Sequence, residues 1–196
     1  MKGFIILGLS VSSVLSAQTD STQIKEIQEV SFTRRLPVSK EIINVQKDLG
    51  SKNLGQDLPI LLKNQMSVVA TSDAGNGVGY TGFRIRGSAG TSINVMLNGV
   101  PYNDSESQGT FFVNIPDMAS SASQIVIQRG VGTSSNGTAS FGASVNILTK
   151  NPDEKPYVLG QFSAGSFNTM KTSFEAGTGK FLNNLLSVSA RYSTIN

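Results

Sequence analysis

From Thr71 onward the chain is cut into short runs in which apolar residues fall at every second position, with glycine-rich turns between them. A period of two places successive side chains on opposite faces of a strand, so the pattern commits most of the chain to β-structure. Composition agrees. Only 15% of residues are charged and 20 are glycine, which excludes a helical bundle rich in Ala, Glu, Lys and Leu. A hydrophobic fraction of 38% spread through the chain excludes full disorder. Histidine and cysteine are both absent. That removes disulfides, Cys or His metal sites, and every Ser-His or Cys-His catalytic arrangement. A net charge of +3 is too small to indicate a nucleic-acid partner.

The first 17 residues read as an address. Met1 and Lys2 give a basic start, Phe4 to Leu15 is apolar and uncharged, and Ser16-Ala17-Gln18 leads into a polar segment. This is the order of a secretory signal peptide cut after Ala17, although Leu15 departs from the small-residue rule. A buried N-terminal helix is the alternative. The apolar run is shorter than the roughly 20 residues of a spanning helix, and no later stretch reaches that length. Outside the inner membrane the chain is then soluble or inserts as a β-barrel.

Four stretches follow. Residues 18–40 are polar without helical period, and contain the β-prone run Glu29-Val30-Ser31-Phe32-Thr33 ahead of Arg34-Arg35. A lone strand in a polar tail must pair with something or stay disordered; it could also be the ordinary first strand of the domain. Residues 41–70 read as the helical stretch. Asp57 is the expected N-cap, Pro59 suits the first turn, and Leu54, Leu58, Leu61 and Leu62 share one face. Met66 to Ala70 then reads as a strand. Residues 71–150 hold strands at Gly82–Gly87, Ile93–Leu97, Gln124–Gln128 and Val145–Leu148, with the hairpin dipeptide Asn98-Gly99. Long loops lie at Tyr102–Thr110 and Val131–Ser140. Residues 157–196 give three strands, Val158–Ala164, Met170–Ala176 and Leu185–Tyr192, with turns at Gly165–Asn168 and Gly177–Asn184. In each, one face is polar: Gln161, Ser163, Ser173, Glu175, Ser187, Ser189 and Arg191 oppose Phe162, Ala164, Phe174, Ala176, Val188, Ala190 and Tyr192. Such alternation fits an outer-membrane barrel or an antiparallel sheet in water, and this stretch alone favours the latter. Three strands cannot close a barrel, which takes about eight at the least. A barrel reading therefore predicts that this sequence is the front end of a longer chain.

Several motifs fall away on inspection. Gly77, Gly79 and Gly82 spell GxGxxG, but an alternating strand follows where a dinucleotide site needs a helix. Asp104 and Glu106 lack calcium-ligand spacing, and the acceptor sequences at Asn103 and Asn136 are frequent chance matches. No catalytic residue, metal site or cofactor is expected, and the chain does not read as an enzyme. Arg84, Arg86 and Arg129 lie in or beside strands near glycines. They are either solvated or paired with carboxylates across an interface, since a desolvated arginine needs a partner.

Four pieces in order carry a family resemblance: Phe83-Arg84-Ile85-Arg86-Gly87; Val95-Met96-Leu97-Asn98-Gly99-Val100-Pro101-Tyr102-Asn103-Asp104; Ile125 to Gly130; and Gly142-Ala143-Ser144-Val145-Asn146-Ile147-Leu148-Thr149-Lys150. Together they resemble the plug signature of TonB-dependent outer-membrane receptors, most like those of Bacteroidetes-type bacteria, over residues 25–196. Val131, Asn98, Asn136 and Ala143 replace the usual Pro, Asp, Tyr and Gly. The resemblance implies an α+β plug, a small mixed sheet with short helices, lodged in a barrel of about 22 antiparallel strands. Residues 1–17 would be the signal, 18–40 a periplasmic tail, 41–150 the plug and 151–196 the first barrel strands. Gly87, Asn98, Gly99, Gly130, Gly142 and Asn146 are its signature positions.

The resemblance also implies roles. Glu29, Val30, Ser31, Phe32 and Thr33 resemble the TonB box, though Ser31-Phe32 departs from a run of valines; strand addition to TonB would carry that recognition. Arg84, Arg86 and Arg129 would lock the plug to barrel carboxylates. Tyr80, Thr81, Tyr102, Asn103 and Phe111 would meet substrate, a small molecule or metal chelate, with a ferric siderophore the favoured class. Outer-membrane lipid would surround the barrel, with plug and tail facing the periplasm. A secreted or surface-attached β-rich binding or adhesion protein is the alternative.

Overall fold

The computed structural model describes residues 39–131, 140–181 and 185–196. The signal sequence, the Glu29–Thr33 run and most of the Val131–Ser140 loop lie outside the described residues.

Five strands form one mixed sheet in the order β1-β6-β7-β4-β5: β1 (Ser39–Asn44), β4 (Ile93–Leu97), β5 (Val100–Pro101), β6 (Ala122–Arg129) and β7 (Ala143–Thr149). Only β4 and β7 run parallel. The register aligns rows of apolar side chains on one face: Ile43, Ile125 and Ile147 with Leu97, then Ile127, Val145 and Val95. These residues are at most 3% exposed except half-buried Leu97. Each buried isoleucine or valine contributes about 1.5–3 kcal/mol relative to exposure. The hairpin of β2 (Val68–Ser72) and β3 (Thr81–Ile85) forms a separate two-stranded sheet. Its Phe83 and Ile85 join the core, and Phe83 meets Phe112 with ring centroids 5.4 Å apart. Leu58, Leu61 and Leu62 enter the same core from α1 (Leu58–Leu61) and the residue after it. A second short helix, α2 (Met118–Ser121), leads into β6.

The helical reading of residues 41–70 needs correction at its start. Glu41 to Asn44 belong to β1, paired antiparallel with β6, and a single wide helical turn follows at Val45–Leu49. The β-branched pair Ile42-Ile43 favours a strand, and the partner lies far along the chain where local pattern cannot reveal it. Asp57 does stand at the N-cap of α1, but its side chain makes no cap bond.

Three strands, β8 (Tyr157–Ala164), β9 (Met170–Phe181) and β10 (Leu186–Ile195), form an antiparallel sheet in the order β10-β9-β8. The expected turn at Gly177–Asn184 starts too early, because β9 continues to Phe181. Gly177 stands opposite Tyr157, whose ring occupies the space a side chain there would take. Among the described residues no helix is long and apolar enough to cross a membrane.

Candidate functional site

The polar alternation of β8–β10 is inverted relative to a sheet in water. Lys171 and Ser173 on β9 are 2% and 3% exposed, whereas Val158, Phe162, Phe174 and Tyr192 are 80%, 75%, 52% and 69% exposed. Phe162 and Phe174 stack edge to face on that outer side, centroids 5.9 Å apart. The polar side faces the five-stranded domain and makes its contacts there.

The densest contact centres on Asp117, just before α2. Its Oδ1 accepts Lys171 Nζ at 2.7 Å and the Ser120 hydroxyl at 2.6 Å, and its Oδ2 accepts the Ser193 hydroxyl at 3.1 Å. Lys171 Nζ also donates to Ser120 Oγ at 2.6 Å and Asn53 Oδ1 at 3.4 Å. Arg191 Nη2 donates to the Asp117 carbonyl at 3.4 Å. The Lys171 and Asp117 side chains are 2% and 6% exposed, so a buried ion pair ties the three-stranded sheet to the start of α2. Leu54 packs onto Gly165, and Gly55 onto Ile195. Sequence reading missed this cluster. Asp117 looks like an ordinary helix-start residue, and Lys171 like one more residue on a polar face.

Beside it, a half-open cavity of about 1080 Å³ runs between the end of β1, α2 and the inner face of β8. Lys150 bonds Glu175 at 3.1 Å at its margin, and the Tyr157 hydroxyl donates to the same carboxylate at 2.8 Å.

The three arginines are placed differently. Arg129 is buried at the edge of the core face, where it pairs with Glu41 of β1 and donates from Nε to the Met66 carbonyl at 3.0 Å. Arg84 and Arg86 are exposed, and among the described residues neither forms an ion pair. The signature residues gather at the two ends of the central strands. Asn98 and Gly99 take positive φ of 52° and 84°, and the Gly99 N–H donates to Asn146 Oδ1 at 3.0 Å. Asn98 Oδ1 accepts the Thr149 N–H at 3.0 Å. At the other end the Gly130 N–H donates to the Gly142 carbonyl at 2.8 Å, and the Gly142 N–H to Ser92 at 2.8 Å. Gly142 lies so close to Ser88 that no side chain fits. Gly87 turns the chain beside them at φ 77°.

Of the residues expected to meet substrate, Tyr80 and Phe111 are 68% and 45% exposed. Tyr102 is half-buried. Asn103 is committed to the loop itself: its amide donates to the carbonyls of Ile93 and Gln108 at 2.9 and 2.8 Å, and its oxygen accepts the Val95 N–H at 2.8 Å. Asp104 accepts the N–H and hydroxyl of Ser107 at 2.7 and 2.8 Å, which lowers its carboxyl below the usual range. Sequence alone would not separate these stapling residues from the exposed ones.

Thr81 donates its hydroxyl to Asp57 Oδ2 at 2.9 Å, and the Gly79 N–H adds a bond at 3.1 Å. Asp57 is 1% exposed and its Oδ1 has no partner. Burial raises its carboxyl above the ordinary 3.8, against the two bonds that lower it. The folded state therefore holds this proton more tightly than the unfolded one. Its contribution is greatest below the ordinary carboxylate value and falls as pH rises through the folded pKa. Asp57→Asn is expected to keep the bonds from Gly79 and Thr81 and to flatten that fall. Urea midpoints taken between pH 3.5 and 7 check this; a variant with the wild-type slope would contradict it.

Comparison with known proteins gives the same outline. Residues 33–144, more than half of the chain, match the profile of the TonB-dependent Receptor Plug Domain. No curated protein sequence matches. Among solved structures, the ferric yersiniabactin uptake receptor FyuA from Yersinia pestis is similar with a TM-score of 0.60 at 17% identity, over 80% of this chain and 24% of that one. The pyoverdine outer membrane receptor FpvA from Pseudomonas aeruginosa gives 0.61 at 14%, over 82% and 22%. The siderophore receptor PirA from Acinetobacter baumannii gives 0.59 at 19%, over 79% and 24%. The chain thus spans about a quarter of the length of the receptors it resembles, and at these identities the likeness is one of fold.

Proposed function

The chain belongs to the TonB-dependent receptor plug domain family, and from that premise we propose that it gates an outer-membrane receptor which takes up a scarce substrate, a ferric siderophore or similar iron complex. The plug is followed by strands that begin a barrel wall. The observation that carries the reading is the inverted alternation of β8–β10. Exposed Val158, Phe162, Phe174 and Tyr192 suit lipid, while buried Lys171 and Ser173 face the plug. A secreted β-rich binder would bury the first set and expose the second.

On this reading the wall continues in further strands, the residues from 18 up to β1 form a periplasmic tail, the plug begins at Ser39 rather than 41 because Ser39 and Lys40 pair with Arg129 and Gln128, and 151–196 are the first of the wall. Substrate meets the plug at Tyr80, Thr81 and the Tyr102–Phe111 loop from outside. TonB adds a strand to Glu29–Thr33 and pulls, drawing on inner-membrane proton-motive energy. Backbone hydrogen bonds supply that recognition, so Ser31-Phe32 is tolerated in place of valines. The tail leads directly into β1, an edge strand held by β6 alone. Arg129 and Glu41 clamp β1 to β6, and a pull must overcome that clamp first. Arg84 and Arg86, exposed on the plug, await carboxylates of the remaining wall.

Deleting residues 29–33 tests this. Energy-dependent uptake of radio-iron carried by hydroxamate and catecholate siderophores is expected to vanish at normal surface expression. Unchanged uptake of a substrate that the intact receptor carries would end the assignment.

A further inference from the structure

We infer that Asp117 and Lys171 form the anchor that retains the plug on its wall, and that α2 and the start of β6 stay seated there while the pore is closed. The inference rests on the gated-pore reading.

Four observations support it. The ion pair is desolvated on both sides, and Lys171 has Asp117, Ser120 and Asn53 as acceptors. Asp117 joins two wall strands at once, since Ser193 and Arg191 of β10 reach its carboxylate and carbonyl. Its backbone sits at φ 50°, a left-handed conformation that persists in a non-glycine residue when its surroundings over-determine it. Arg129, expected to lock the plug to the wall, is instead held within the plug by Glu41. Removing one member of such a pair leaves the other charge buried and alone, which is the costly outcome. The plug would then separate from β9 and β10 at α2, alongside the cavity that already opens between α2 and β8.

The test measures ion current through the complete receptor in planar bilayers, with potassium chloride as the only probe. Lys171→Met is expected to raise the open fraction by about tenfold or more. Lys171→Arg, which keeps the charge, should restore most of the closure, and Ser193→Ala should give a smaller leak. Heat-modifiable migration on gels identifies variants whose wall has folded; if Lys171→Met fails that check, Asp117→Asn, tolerated at this φ, takes its place. A chain lacking residues 41–150 is expected to conduct freely. If it conducts while Lys171→Met and Asp117→Asn stay closed, the anchor is overturned and the gated pore stands. If it carries no current, the pore reading fails and takes the anchor with it. A leak in Arg84→Ala/Arg86→Ala alone would place the lock at the arginines and likewise overturn the anchor.

Discussion

Lys171→Ala is expected to destabilise the seating of the plug by about 3–5 kcal/mol, the usual cost of breaking a buried ion pair from one side. Alanine removes the ammonium from Asp117 Oδ1 and from Ser120 at once. The carboxylate, 6% exposed beside the lysine, is left with only hydroxyl donors. The double variant Lys171→Met/Asp117→Asn should cost much less than the two single changes together, because neither charge is then left unpaired. Hydrogen exchange of the amides in α2 and β6 reads the difference. Equal protection in wild type and Lys171→Ala would show that the pair carries no seating energy.

Gly179→Ala is expected to be strongly damaging in β9, and Gly160→Ala in β8 nearly silent. Gly179 has φ 68°, where a side chain costs about 1–3 kcal/mol by conformation alone. A Cβ there would also lie 2.6 Å from the Lys155 carbonyl carbon, 2.8 Å from Pro156 N and 2.9 Å from the Glu154 oxygen. All three are backbone atoms, so only a separation of β9 from the segment entering β8 relieves the contact. At Gly160 the nearest atoms are those of the Phe174 ring at 3.6 Å, an ordinary packing distance. Thermal unfolding of the two variants in detergent should separate widely. Similar midpoints would contradict the close passage of the chain at Gly179.

Much of this architecture is legible in the sequence. Period-two alternation located β6, β7 and the three wall strands, and Asn98-Gly99 marked the β4–β5 turn because its backbone needs two left-handed residues in succession. Leu58, Leu61 and Leu62 marked the face of α1. What escaped was set by distant pairing. β1 is six residues long, sits beside a helical pattern, and is a strand because β6 lies next to it. Asp117 and Lys171 are 54 residues apart, and each has an ordinary local explanation. Arg129 is a further case. The family resemblance assigns it to carboxylates of the barrel wall, whereas it pairs with Glu41 of the neighbouring strand in its own sheet, a partner 88 residues away that local pattern does not reveal.

The orientation of β8–β10 decides whether residues 157–196 are a membrane wall. The 196 residues hold no cysteine; with any cysteine in the rest of the receptor replaced by serine, single cysteines at Phe162, Phe174 and Tyr192, and at Gln161 and Ser163, can each carry an environment-sensitive fluorophore in the complete receptor in lipid vesicles. A lipid-borne quencher should dim the labels at Phe162, Phe174 and Tyr192 and leave those at Gln161 and Ser163 bright. Equal quenching along the alternation, or labels at Phe162 and Tyr192 reached only by a water-soluble quencher, would mean that these strands do not face lipid and that the plug has no wall around it.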